Sequence, residues 1–202
     1  AAMDYAKRQR VFHIKAGCTA QGAPGISAEA ASLPVYRTEA IGSSVVVALA
    51  ELENLQQAHE LIRAGLRLSI IRGMTRIGTR TLRQWWKDVH GVKPSNGKLP
   101  ETVLSFIKDR DSAARLSAFA ALHQRIFASD LTTTSLMTTW REYQRICGPL
   151  DINAAYFAAR DVRVKIVMLV QCQVCNAAFI YDAGSKHTDH CPFCETSVVV
   201  AD

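Results

Sequence analysis

Two C-x-x-C pairs, Cys172/Cys175 and Cys191/Cys194, stand fifteen residues apart near the end of the sequence. No other feature restricts the possible folds as much. A C-x-x-C step lets two sulfurs from one tight knuckle reach a single ion, and two knuckles can close a tetrahedral site. The linking segment "NAAFIYDAGSKHTDH" suits a hairpin, with Phe179, Ile180 and Tyr181 as a short strand and Ala183-Gly184-Ser185 as a turn. The spacing predicts a small zinc-ribbon-like module over 169–202, holding one structural Zn2+ on Cys172, Cys175, Cys191 and Cys194. Three alternatives stand beside it. One is a rubredoxin-like iron site, of which "CPFC" has the flavour. Another is a dithiol redox couple, which would normally accompany a βαβ pattern absent here. The third replaces a cysteine ligand by His187 or His190, although with four cysteines at hand both histidines are expected at the surface.

The chemistry classes narrow accordingly. Four protein ligands fill a zinc shell and leave no position for an activated water, which argues against hydrolysis. No nucleophile–base constellation stands out elsewhere, so an enzyme is not expected. Paired cysteines in a chain otherwise poor in them fit metal ligation in a reducing, cytoplasmic setting, with Cys18 and Cys147 left over as reduced thiols. No run of about eighteen apolar residues appears, so no membrane span is expected. Lys7, Arg8 and Arg10 are not followed by an apolar h-region, which argues against a secretory signal.

The rest of the chain reads as mainly α. Residues 1–44 lack sustained periodicity and include the small-residue stretch "AGCTAQGAPGISAEAASLP", read as an irregular N-terminal arm. From Val45, Leu49, Leu52, Leu55, Leu61, Ile62, Leu66 and Ile70 recur near the helical period, predicting one long helix to about Arg72 with a break at Gly73. A second helix is predicted over Thr79–Val89, followed by the turn-rich "GVKPSNGKLP". Further helices are predicted over 101–129, 135–146 and 152–168. No strand alternation is apparent ahead of the cysteines. A multi-helix domain over 45–168 would thus precede the metal module.

Charge is distributed unevenly along that body. The chain carries a net charge of +6. Between Arg63 and Lys98 lie nine Lys or Arg residues and a single acid, Asp88. Placed at 100° per residue, Thr79–Val89 puts Leu82, Trp85, Trp86 and Val89 on one face. Arg80, Arg83 and Lys87 fall nearly opposite, flanked by Gln84, with Arg76 in the preceding turn. A helix-turn-helix recognition helix needs this arrangement, because its outer face enters the major groove and arginine grips guanine bidentately. The plainer alternative is a solvated basic face. Trp85 and Trp86 are expected in the core rather than stacked on single-stranded bases.

Several segments together resemble one family. "AHELIRAGLRLSII", "RIGTRTLRQWWKDVHGVKPSNGKLP" and the "RDVRVKIVMLVQCQVC" approach to the four cysteines are similar, in order and spacing, to FlhC. FlhC is the zinc-containing subunit of the bacterial FlhD/FlhC flagellar master activator. The likeness spans roughly residues 45–195. It implies a helical DNA-binding subunit that joins an FlhD-like protein in a hetero-oligomer, binds upstream of class II flagellar promoters and helps recruit RNA polymerase. It also carries the four-cysteine zinc site onto Cys172, Cys175, Cys191 and Cys194. The resemblance implies a basic tail after the second knuckle, where this sequence reads "ETSVVVAD". A protein-interaction adaptor without direct DNA contact is the competing function.

Overall fold

The structure, a computed structural model, describes residues 41–95, 97–128 and 130–196, with the backbone alone over 41–48. The arm expected over 1–44 lies outside the described residues up to position 40, as do Cys18 and the residues after Thr196. Positions 41–44, assigned to that arm from sequence, are instead helical.

Among the described residues, six helices follow in order: α1 (Ile41–Arg63), α2 (Leu68–Thr75), α3 (Thr79–His90), α4 (Arg110–Phe127), α5 (Thr133–Cys147) and α6 (Ile152–Arg163). A single 3-10 turn, Val103–Phe106, lies between α3 and α4. Two short antiparallel strands, β1 (Met168–Gln171) and β2 (Ala178–Tyr181), close the described chain, with Met168 opposite Tyr181 and Gln171 opposite Ala178. The protein is mainly α, as the periodicity predicts.

The helix ends depart from expectation for local reasons. The long helix predicted to Arg72 stops at Arg63, because Gly65 takes φ +84°. The Gly65 N–H then bonds the Ile62 carbonyl, and the Leu66 N–H bonds the Leu61 carbonyl. This is a Schellman closure, with glycine in the left-handed position. Gly73, the predicted break, lies inside α2. The helix predicted over 101–129 begins only at Arg110. Asp109 forms a capping box there, accepting from Ser112 N at 2.7 Å while its own N–H bonds Ser112 Oγ at 3.0 Å.

The helix predicted to residue 168 ends at Arg163 by the same Schellman pattern. Lys165 N bonds Val162 O, Ile166 N bonds Asp161 O, and Lys165 occupies the left-handed position at φ +60°. The chain then turns directly into β1, a strand ahead of the cysteines that the sequence pattern does not reveal.

Two apolar sets hold these elements. The main core gathers Leu61, Ile62, Leu66, Ile71 and Leu82 from α1–α3 with Leu116, Phe119, Leu136, Tyr143, Ile152 and Phe157 from α4–α6. Phe119 meets Tyr143 edge-on, with ring centroids 5.8 Å apart. A smaller set is Cys172, Phe179 and Cys191. Successive strand residues point to opposite faces. In β2 this sends Ile180 into the main core and Phe179 into the cysteine set. The Ile180 N–H also donates to the buried Ser117 Oγ on α4 at 3.0 Å. The strand thereby seats the cysteine module on α4.

Candidate metal centre and basic face

The two knuckles are built alike. Asn176 and Glu195, each just after the second cysteine of its pair, take φ of +61° and +63°. Their N–H groups bond back to Cys172 O at 2.9 Å and Cys191 O at 2.8 Å. Cys172 N donates to Ala177 O, and Cys191 N to Thr196 O, at 2.9 and 3.0 Å. Each tight loop turns its two sulfurs toward the other pair. Cys172 Sγ lies 3.5 Å from Cys194 Sγ, and Cys175 Sγ lies 3.6 Å from Cys191 Sγ. All four sulfurs fall within 4.8 Å of one another. A tetrahedral ion with Zn–S bonds of about 2.3 Å spaces its sulfurs about 3.8 Å apart. The four cysteines can therefore hold one metal ion with little rearrangement.

The thiols differ in acidity. The Thr196 hydroxyl and backbone bring Cys194 down to about 6, while desolvation pushes Cys175 up to about 12. Desolvation raises Cys191 as well, and backbone hydrogen bonds lower Cys172. Among the described residues, these four cysteines are the only cluster of three or more His, Cys, Asp or Glu side chains placed to hold an ion. His190 is exposed and paired with Asp189 at 2.9 Å. His187 is half-buried and stands outside the cluster.

Arg110, the first residue of α4, secures the second knuckle. Its guanidinium donates to the carbonyls of Pro192 and Phe193 at 2.7 and 3.2 Å, and it pairs with the Glu195 carboxylate. Sequence reasoning missed this residue. Its only local cue is the capping motif "DRDS", which says nothing of a partner more than eighty positions away.

The basic face lies on the helix pair α2–α3, which the three-residue turn Arg76-Ile77-Gly78 joins in a helix-turn-helix-like unit. Arg76 caps α2 in the left-handed conformation at φ +60°. On α3, Leu82 is fully buried, while Trp85, Trp86 and Val89 pack half-buried against the core. Arg80, Arg83, Gln84 and Lys87 are exposed. The face segregation read from the sequence therefore holds. Gln84 donates to Asp88 at 2.9 Å, whereas Arg76, Arg80, Arg83 and Lys87 have no ion-pair partner among the described residues. Lys93 and Pro94 of the following loop complete a cleft along this face.

A helical body with a basic helix whose cations have no ion-pair partner among the described residues, joined to a ribbon whose four cysteines can hold a metal ion, defines a helix-turn-helix-like protein with a four-cysteine ribbon. The chain belongs to the flagellar transcriptional activator (FlhC) family, whose model matches residues 43–200. It is 26% identical over 161 residues to the flagellar transcriptional regulator FlhC of Gallionella capsiferriformans, covering 75% of this chain and 88% of that protein. It is 28% identical to the FlhC of Sodalis glossinidius over 155 residues, covering 71% and 78%. The FlhC of Cupriavidus necator matches at 23% over 190 residues, 90% of this chain and 89% of that protein. The family is one of transcriptional regulators of flagellar genes, not a class of enzymes.

Proposed function

We propose that this chain is the DNA-contacting subunit of a cytoplasmic transcriptional activator. In this reading it acts with an FlhD-like partner on flagellar class II promoters and helps recruit RNA polymerase. The observation that carries the reading is the face of Arg80, Arg83, Gln84 and Lys87. Its arginines and lysine are exposed, without an ion-pair partner among the described residues, on a helix whose opposite side is committed to the core. Charges left without carboxylate partners are available to phosphates, and an α-helix fits the major groove. Cys172, Cys175, Cys191 and Cys194 hold one structural Zn2+ that fixes the ribbon and performs no chemistry.

The FlhD-like partner docks on α1. Leu49, Leu52 and Leu55 are 54%, 50% and 41% exposed on the N-terminal part of that helix, whose burial in the body starts at Ala58. Isolated helical turns are marginal in water, so such a stripe gains most of its stability from a partner.

The test is a shift assay of the complex with promoter DNA, in which Arg80→Ala and Arg83→Ala weaken binding while the helical content and melt are unchanged. Unchanged affinity rules out this placement of the DNA contact. The adaptor reading draws its support from apolar side chains at the ribbon, where Met168 is 55% and Val174 68% exposed. DNA affinity that is absent, or insensitive to salt, favours the adaptor.

A further inference from the structure

Three clefts adjoin one another in series. The one along α3 shares Arg83 and Pro94 with a second, which also touches Arg67, Arg72 and Gly97. That second cleft shares Ser69 and Leu99 with a third, which ends at Tyr156, Arg160 and Arg163 on α6. Among the described residues, no Asp or Glu lines any of the three. We propose that the three clefts form one continuous DNA-backbone track, in which Arg72 and Arg163 grip phosphates flanking the segment that α3 reads.

The cations divide by what already holds them. Arg160 is committed, because its guanidinium bonds the buried Asp161 carboxylate at 2.7 Å and the Glu101 carbonyl at 2.5 Å and lies over Phe157. Arg67 is tied to the Gly97 carbonyl at 2.8 Å. These two build walls. Arg72 and Arg163 are exposed and have no ion-pair partner among the described residues. Gly73 lines the same cleft as Arg163, and no described atom lies within 4 Å of where its Cβ would stand. Arg72 on α2 and Arg163 on α6 line neighbouring clefts of this track, so each cation is placed to meet a different phosphate of a bound duplex. An acidic protein segment is the other occupant that such a track would take. This proposal rests on the DNA-binding reading above.

The experiment measures affinity of the full hetero-oligomeric complex for promoter duplex as a function of salt. Arg72→Ala and Arg163→Ala each lower affinity roughly threefold at low salt and reduce the slope of log K against log salt by about one. Arg163→Lys restores the slope, which separates charge from fold. A duplex trimmed to the α3 footprint binds wild type and Arg163→Ala alike. If Arg83→Ala lowers the slope while Arg72→Ala and Arg163→Ala leave it unchanged, the extended track is wrong and the DNA reading stands. If none of the three changes it, the DNA reading fails as well. Loss of an acidic-peptide interaction in Arg163→Ala, with DNA binding intact, assigns the track to protein and overturns the proposal.

Discussion

Arg110 Nε donates to the carbonyl oxygen of Pro192 at 2.7 Å, joining the first turn of α4 to the loop that carries Cys191 and Cys194. Groups that orient a ligand loop from outside typically change metal affinity tenfold to a hundredfold when removed. Arg110→Ala is expected to lower metal affinity within that range, measured by competition with a chromophoric chelator. The helical signal of the body stays intact. Arg110→Lys, which lacks the planar fork, recovers only part of the loss.

Ligation needs thiolates, so protons compete with the ion. Cys175 is pushed up to about 12 and Cys191 is raised too, so both are protonated in the metal-free protein at neutral pH. Cys194, at about 6, is already ionised there. Loading at pH 7 to 8 is therefore expected to release at least two protons per ion, those of Cys175 and Cys191, and affinity falls as pH drops. Calorimetry in buffers of different ionisation heat counts the protons. Chelation, or Cys172→Ser, makes the chain beyond about Lys165 sensitive to protease, whereas an unchanged cleavage pattern excludes a structural role for the metal.

His123 is buried between Phe119 and Phe127, and its Nε2 has no hydrogen-bond partner among the described residues. Burial lowers its pKa from the ordinary value of 6.5. The unfolded chain therefore binds the proton more readily than the folded one. Stability from neutral His123 is complete above about 6.5 and declines as pH falls from there toward the lower folded-state value. His123→Leu is expected to flatten this decline in a series of thermal melts, compared with wild type at each pH.

Gly65 and Gly73 predict opposite outcomes for one substitution. Gly65→Ala forces a side chain into φ +84°, costing about 1 kcal/mol. Gly73→Ala adds a methyl within α2, where nothing lies near, and is expected to stabilise by up to about 1 kcal/mol. Urea melts of the two variants give shifts of opposite sign.

The same pair of glycines shows where sequence reading stops. Periodicity marks both as helical or breaking with equal ease, because a glycine inside a helix costs only about 1 kcal/mol and neighbours absorb it. What distinguishes Gly65 is the Leu66 that follows and packs back into the core, the apolar partner of a Schellman end. Lys165 closes α6 in the same way without a glycine, so β1 is hidden inside an apparently helical "KIVMLV". The segregation of α3, by contrast, is legible because amphipathicity is a local property. So is the gathering of four sulfurs, since each knuckle is set by residues within six positions of one another. Arg110, Ser117 and Asp161 are illegible because their partners are distant in sequence.

Asp161 shows what such a distant partnership entails. Its buried carboxylate accepts from Val103 N at 2.6 Å and from Arg160, the wall of the α6 cleft. Its carbonyl accepts from Ile166 and Val167, where the chain enters the ribbon. One residue thus registers the groove against the metal module. A substitution that displaces Asp161 therefore moves the Arg160 wall and the entry to the cysteine ribbon together, so neither can be reshaped without the other.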